Sequence, residues 1–78
     1  MAQVKLLLFG PLAEEYGSSE SFHNITHNFT INQLIEKLNL TKWKENGLKC
    51  AVNKEFTTYE KILSDGDEVV LLTPVSGG

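Results

Sequence analysis

The chain has 78 residues, a formal net charge of −3, and 41% hydrophobic and 22% charged residues. These values are typical of one small globular domain, and such a domain buries only about 60% of its unfolded surface, so we expect no active-site cleft of its own. Seven lysines, no arginine and no basic cluster argue against nucleic-acid binding. No apolar run approaches the roughly 20 residues of a membrane span, and the first residues lack a signal-peptide pattern, so we expect a cytoplasmic protein without membrane contact.

The first third of the chain predicts a strand, a short helix and a second strand. Residues 4–9 are apolar apart from one lysine, which is typical of a central strand buried mostly on both faces. Pro11 suits the first position of a short helix that ends at Gly17. Residues 19–25 mix apolar with polar side chains, which predicts an edge strand with one wet face.

Two histidines and one cysteine are candidates for metal binding or nucleophilic chemistry. His23 and His27 have the spacing of paired ligands on a helix, but their Asn and Thr neighbours disfavour a helix and no third ligand is near. We therefore interpret them as exposed histidines at a sheet edge. The single cysteine, Cys50, excludes an internal disulfide, and its apolar surroundings predict a buried small hydrophobe rather than a nucleophile.

The clearest helix begins at Thr30. Thr30 and Gln33 form a capping box, and the apolar residues that follow recur at helical spacing, which predicts the main helix lying across one sheet face. A short helical turn over residues 41–46 should end at Gly47. Its Trp43 either covers the edge of the core or anchors a partner.

The next segment predicts a hairpin and two turns. Residues 48–52 and 55–58 read as strands joined by a turn at residues 53–54, and residues 59–63 as a helical turn. Asp65 and Gly66 supply a tight turn before the last strand. The acidic Asp65, Asp67 and Glu68 do not fill a calcium-loop pattern, so we interpret them as a solvated turn.

The last strand, residues 68–73, is strongly apolar and leads into Pro74, which cannot continue a central ladder. At about 3.3 Å per extended residue, residues 74–78 reach roughly 16 Å. Gly77 and Gly78 have no Cβ, so the backbone could thread a narrow channel and present the Gly78 carboxylate to chemistry elsewhere. Two terminal glycines alone are also compatible with a frayed end.

The chain resembles the MoaD family, the small subunits of molybdopterin synthase, which are ubiquitin-like β-grasp sulfur carriers. The most specific likeness is the terminal stretch, Asp-Gly-Asp-Glu-Val at residues 65–69 and Pro-Val-Ser-Gly-Gly at residues 74–78. The opening strand, the segment at residues 12–17 and Ala-Val-Asn at residues 51–53 extend it over the whole chain. The chain departs from the family at Ala13 and Glu14, where an arginine is frequent, and at Leu71 and Leu72, where aromatic residues are frequent.

The resemblance implies an α+β fold. It is a single ubiquitin-like β-grasp domain over residues 1–78, with a mixed sheet of four to five strands, one main crossing helix and a flexible functional tail over residues 74–78. The first and last strands should pair in parallel, since they are the most apolar and therefore central.

The resemblance also implies a function as a sulfur donor rather than an enzyme. A MoeB-like adenylyltransferase would use ATP to adenylate Gly78, which then becomes a thiocarboxylate; the chain itself would bind no cofactor or metal. The tail would enter a MoaE-like large subunit, with which the chain would form a heterotetramer. There its sulfur would be used to convert cyclic pyranopterin monophosphate to the molybdopterin dithiolene.

Each candidate residue has a role in this hypothesis. Gly78 would carry the sulfur and Gly77 would allow entry to the channel. Leu72 would line the groove for the tail together with Pro74 and Val75, and Ser76 would also bind the partner. Phe9 would belong to a docking surface for both partners, although plain core packing is an equal alternative for Phe9 and Leu72.

Three other functions fit the same terminus. A ThiS-like carrier for thiamine thiazole synthesis differs only in its partner. A ubiquitin-type modifier would pass the activated glycine to lysines. A noncovalent interaction module would tolerate extension of the terminus.

Overall fold

The structure, a computed structural model, describes residues 2–73. The candidate residues Pro74, Val75, Ser76, Gly77 and Gly78 therefore lie outside the described residues. In chain order the elements are β1 (Ala2–Leu8), α1 (Pro11–Tyr16), β2 (Glu20–Ile25), α2 (Ile31–Lys37), a 3-10 helix (Thr41–Asn46), β3 (Lys49–Val52), β4 (Glu55–Thr57) and β5 (Glu68–Leu72).

The five strands form one mixed sheet in the order β2-β1-β5-β3-β4. β1 and β5 pair in parallel at its centre, with Leu6 opposite Val69 and Leu8 opposite Leu71, and the other pairings are antiparallel. The helices between these two strands pack on one face of the sheet, where their apolar residues join the buried residues of β1 and β5. The predicted β-grasp topology, with parallel first and last strands, is confirmed.

The core lies on only one face of this sheet. Val4, Leu6 and Leu8 of β1 are at most 1% exposed, whereas Lys5 and Leu7 between them are partly exposed. The inward side chains pack against residues of α1 and α2 in one buried cluster. The prediction that β1 is buried on both faces is wrong, because the helical segments within residues 2–73 cover a single side.

The predicted boundaries of α1 are confirmed. Pro11 begins the helix, where its missing N–H is not needed. Gly17 ends it in the left-handed conformation, with φ of 99°, and donates its N–H to the carbonyl of Ala13 at 2.8 Å. This short helix buries Leu12 against the sheet.

Two sets of hydrogen bonds hold the start of α2. The predicted capping box is present, with Thr30 accepting from the N–H of Gln33 and the Gln33 side chain accepting from the N–H of Thr30. The carbonyls of Tyr59 and Lys61 accept the next free N–H groups, those of Asn32 and Ile31, at 2.9 and 3.1 Å. Tyr59 and Glu60 form a turn, in which the N–H of Lys61 donates to the carbonyl of Thr58 at 3.2 Å, and Ile62 then forms a β-bridge with Thr30. The predicted helical turn over residues 59–63 is therefore wrong beyond this single turn, because the backbone that follows it bonds to the start of α2.

The two histidines differ in environment. His27 is exposed after β2, but His23 is half-buried on the helix-covered side, 2.8 Å from the Ser21 hydroxyl and 6.0 Å from the Tyr16 ring centroid. Burial, and secondarily the nearby Lys37 cation, lower the pKa of His23. The prediction that both are exposed is wrong for His23.

No helix within residues 2–73 is long and apolar enough to cross a bilayer. The same stretch contains no group of three or more His, Cys, Asp and Glu side chains arranged to hold a metal ion.

Candidate functional site

The end of β5 is the point from which the predicted tail continues. Leu72 pairs with Lys49 of β3, and the preceding Leu71 lies between Leu8 and Cys50 in the sheet. Leu71 is fully buried, whereas Leu72 and Thr73 are partly exposed. Phe9 follows β1 directly and is 53% exposed. Neither Phe9 nor Leu72 belongs to the buried core, which leaves both accessible to a partner.

The start of β5 is held by side chains. Asn53, in the turn between β3 and β4, accepts from the N–H of Glu68 and donates to the Asp67 carboxylate, both at 3.0 Å. The other oxygen of Asp67 accepts from the N–H of Ser64 at 2.8 Å. These contacts fix the position of the strand where it begins.

Asp65 ties the same turn to the first strand. Its carboxylate accepts from the N–H of Gln3 at 2.8 Å, and the N–H of Gly66 donates to the carbonyl of Gln3 at the same distance. Gly66 has φ of 87°, which a residue with a side chain rarely adopts. The turn predicted at Asp65 and Gly66 is confirmed, and the acidic side chains stabilise it rather than only facing water.

The sheet face opposite the helices carries an apolar row that sequence reasoning did not single out. Leu7, Val70, Ala51 and Phe56 lie side by side on four adjacent strands, because each is the registered partner of the next. Phe56 is 71% exposed at one end of this row. We call this the open sheet face; it also includes the outward side chains Lys5, Phe22, Lys49, Glu68 and Leu72. The alternation of strand residues could have predicted which side chains point outward, but not which of them are neighbours.

The open sheet face is better suited to a partner than the edge of β2. Ser18 bonds both the N–H and the carbonyl of Glu20, and Lys37 donates to the carbonyl of Asn24 at 3.3 Å. These are backbone groups that an added strand would use, so β2 is a poor template for strand addition. The exposed Phe22 beside this edge remains available on the open sheet face.

Trp43 lies at the edge of the core. Its ring packs against the buried cluster, and its indole N–H donates to the Glu15 carboxylate at 3.3 Å. Glu15 also pairs with Lys42 at 3.1 Å, so it joins α1 to the 3-10 helix. The predicted core-edge position is confirmed, and a role in partner binding stays a prediction.

Cys50 is a buried core residue, as predicted. It is 2% exposed, and its Sγ donates to the carbonyl of Thr57 at 3.3 Å. Burial, and secondarily Glu60, raise the pKa of the thiol, which keeps it protonated and unreactive. A shallow depression of about 400 Å³ lies beside it, with Leu48, Phe56 and Tyr59 in its lining. It begins near the end of β5, since Leu48 precedes the Lys49 that pairs with Leu72.

A mixed five-stranded sheet with parallel terminal strands, helices on one face and a C-terminal strand leading into Gly-Gly defines a ubiquitin-like β-grasp protein. The sequence model of the ThiS family matches residues 6–78. The chain belongs to the ThiS family, and it is a MoaD/ThiS-like ubiquitin-like sulfur carrier.

Solved structures agree with this fold. The putative molybdopterin converting factor, subunit 1, from Pyrococcus furiosus superposes with a TM-score of 0.81 at 24% identity, over 96% of this chain and 100% of that chain. A chain in the complex of subunits 1 and 2 of the molybdopterin-converting factor from Helicobacter pylori superposes with a TM-score of 0.64 at 28% identity, over 97% of this chain and 99% of that chain. The small archaeal modifier protein 1 from Methanosarcina acetivorans superposes with a TM-score of 0.72 at 27% identity, over 100% of this chain and 98% of that chain. No curated protein sequence matches the chain.

Proposed function

We propose that this chain is the sulfur-carrier small subunit of a molybdopterin synthase. The observation that carries the proposal is the position of β5, which is fixed at its start and ends at Leu72 beside exposed apolar residues, five residues before a Gly-Gly in the sequence. The similarity to a subunit solved in complex with a second subunit of the same factor supports it.

The chemistry proposed for Gly78 follows from the weakness of a carboxylate as an electrophile. An adenylating enzyme of the MoeB type would join the Gly78 carboxylate to the α-phosphate of ATP and release pyrophosphate. A sulfur donor would then displace AMP and leave a thiocarboxylate, whose sulfur is a soft nucleophile. Gly77 would let this group enter the active site of a MoaE-like large subunit, where confinement places it against cyclic pyranopterin monophosphate.

The open sheet face would supply the contact that holds the carrier on each partner. Apolar side chains at its centre and charged ones around them, such as the Lys5–Glu20 pair at 3.3 Å, match the usual pattern of an interface core with a polar rim. Leu72 and Phe9 would extend this contact toward the tail, and Pro74, Val75 and Ser76 would line the channel with it. Two such carriers on two large subunits would make the heterotetramer.

The first test is intact mass after incubation with a MoeB-like enzyme, ATP and a sulfur donor. We expect a gain equal to sulfur replacing oxygen, located at Gly78 by fragmentation. Addition of a MoaE-like subunit and cyclic pyranopterin monophosphate should then give molybdopterin. A chain without Gly78, and one extended by a single residue, should keep the wild-type unfolding curve and lose transfer. Full activity of the extended chain would refute the proposal.

A second candidate is a protein modifier, favoured by the likeness to the small archaeal modifier protein from Methanosarcina acetivorans. In that case the activated Gly78 would be passed to lysine amines. Isopeptide-linked conjugates formed without any sulfur donor would support it. A ThiS-like role would be recognised by transfer in the presence of a thiazole synthase and none with the MoaE-like subunit.

A further inference from the structure

The two edges of the sheet differ in how their backbone is covered. At β2, the side chains of Ser18 and Lys37 bond to backbone groups along the edge. At β4, which forms the other edge, no side chain within residues 2–73 bonds to the outward backbone groups in this way. An edge strand whose backbone is uncovered can pair with a further strand.

The hydrogen-bond pattern of the sheet shows which groups of β4 face outward. The N–H of Asn53 donates to the carbonyl of Glu68 at 2.8 Å, so in the antiparallel ladder Ala51, two residues earlier, also bonds toward β5, and Val52 between them bonds toward β4. Phe56 lies opposite Ala51 in the β3–β4 register. The N–H and carbonyl of Phe56 therefore point away from β3, toward the free edge.

The same edge carries a protruding ring and an apolar depression. Phe56 is 71% exposed, the largest exposed fraction of any large apolar side chain within residues 2–73. Beside it, where β4 ends, lies the shallow depression of about 400 Å³, whose lining includes Leu48, Cys50 and Tyr59. The Tyr59 hydroxyl donates to the carbonyl of Leu48, which holds this wall in place. A second phenylalanine ring placed opposite Phe56 would lie at the mouth of this depression.

We propose that the β4 edge is a contact between two copies of this chain, with the two β4 strands paired antiparallel about a two-fold axis at Phe56. Such an interface requires a surface that is complementary to itself, and a ring next to a depression meets this requirement. The N–H of each Phe56 would donate to the carbonyl of the other. Glu55 of one copy would face Thr57 of its partner. Lys54 would likewise face Thr58, so no two like charges would stand directly opposite each other.

The contact would leave the two β5 strands free for other partners. The pairing would join both sheets into one, with the helices of both copies on the same side, because a two-fold axis between antiparallel neighbours is perpendicular to the sheet. The two β5 strands would then run in opposite directions and end far apart. This inference does not require an activated Gly78. Since β4 has only three residues, the contact would be small and the dimer weak.

The test measures the mass of the full chain by sedimentation equilibrium from about 10 µM to about 1 mM, a range suited to a small interface. We expect a monomer–dimer equilibrium. Phe56→Ala should weaken it about tenfold or more, because the ring is lost from both sides of the contact. Phe22→Ala is the matched control, since Phe22 is a 58% exposed phenylalanine on the opposite edge strand, and it should leave the equilibrium unchanged. The unfolding curve of each variant shows that it is folded.

Amide hydrogen exchange of the same samples locates the contact. The N–H of Phe56 faces solvent in the monomer, so its exchange should slow as the concentration rises. The N–H of Thr57 bonds toward β3 in both states and should change less. Faster slowing at Thr57 than at Phe56 would contradict the pairing.

The remaining outcomes also decide the proposal. A chain that is monomeric over the whole concentration range would refute it. A dimer that Phe22→Ala weakens as much as Phe56→Ala does would place the contact on the open sheet face and would refute pairing at the β4 edge. Slow exchange at Phe56 that appears only when a different protein is added would assign the edge to that protein and refute a second copy as its partner.

Discussion

β5 presents the same kinds of side chain to two very different surroundings. Val69 and Leu71 point toward the helices and are fully buried, whereas Val70 and Leu72 point to the open sheet face and are partly exposed. All four are aliphatic, so hydrophobicity alone does not distinguish residues that stabilise the fold from residues available to a partner. The alternation along the strand, together with helices on a single face, makes the distinction.

The largest expected effect is the difference in unfolding free energy between substitutions at two adjacent residues of β5 that point to opposite faces of the sheet. Leu71→Ala should lower the free energy of unfolding by about 2–5 kcal/mol, because it opens a cavity in a fully buried site. Leu72→Ala should change it by less than about 1 kcal/mol, since part of the side chain is already in water. Urea denaturation followed by the fluorescence of Trp43 measures both.

The two substitutions should affect partner affinity in the opposite order. Among folded variants, Leu72→Ala should weaken binding more than Leu71→Ala does. Leu72→Ala should weaken binding to a MoaE-like subunit, measured by titration calorimetry at a temperature where the variant is fully folded. Equal stability losses for the two substitutions would contradict the assignment of the faces. Undiminished binding by Leu72→Ala would remove Leu72 from the proposed interface.

The contacts at the start of β5 offer the next test. Asn53→Ala removes two hydrogen bonds and places alanine at φ of 52°, whereas Asn39→Ala changes only the residue at φ of 61°, since no side-chain bond of Asn39 is found within residues 2–73. The loss of unfolding free energy for Asn53→Ala should exceed that for Asn39→Ala by about 1–2 kcal/mol. Equal losses would show that only the backbone conformation matters.

The turn between β3 and β4 predicts a stabilising substitution, because Lys54 has φ of 73°, where the Cβ of a lysine is crowded. Lys54→Gly relieves a left-handed lysine, although glycine also makes the unfolded chain more flexible, so the free energy of unfolding should rise by up to about 1 kcal/mol. Lys61→Gly is the control and should lower it slightly, because there only the unfolded chain changes. Destabilisation by Lys54→Gly would show that the left-handed lysine is not strained.

Local sequence signals predicted much of the fold. Thr30 with Gln33 located the start of α2, and Pro11 and Gly17 bounded α1, because caps act on the residues beside them. Residues 59–63 were misjudged because the carbonyls of Tyr59 and Lys61 accept hydrogen bonds from α2, which is a distant part of the chain.

The candidate site was only partly predictable for the same reason. Leu72 and Phe9 were identified as candidates beside the tail, but the row through Leu7, Val70 and Phe56 exists only once four strands are set in register. The roles of Gly77 and Gly78 remain predictions from sequence, since they lie outside the described residues.

The smallest expected effect is on the pH dependence of the unfolding free energy, through His23 on the helix-covered side of β2. The pKa of His23 is lowered in the folded protein, first by burial and then by Lys37, so the folded state binds a proton less readily than the unfolded chain. As pH falls below about 6.5, the unfolded chain is protonated first and the free energy of unfolding decreases, until pH passes below the folded pKa and the decrease is complete. His23→Gln should remove this component of the decline between pH 7 and 5. His27→Gln, at an exposed position, should leave the decline in place, and an equal effect of the two substitutions would show that the burial of His23 is not its cause.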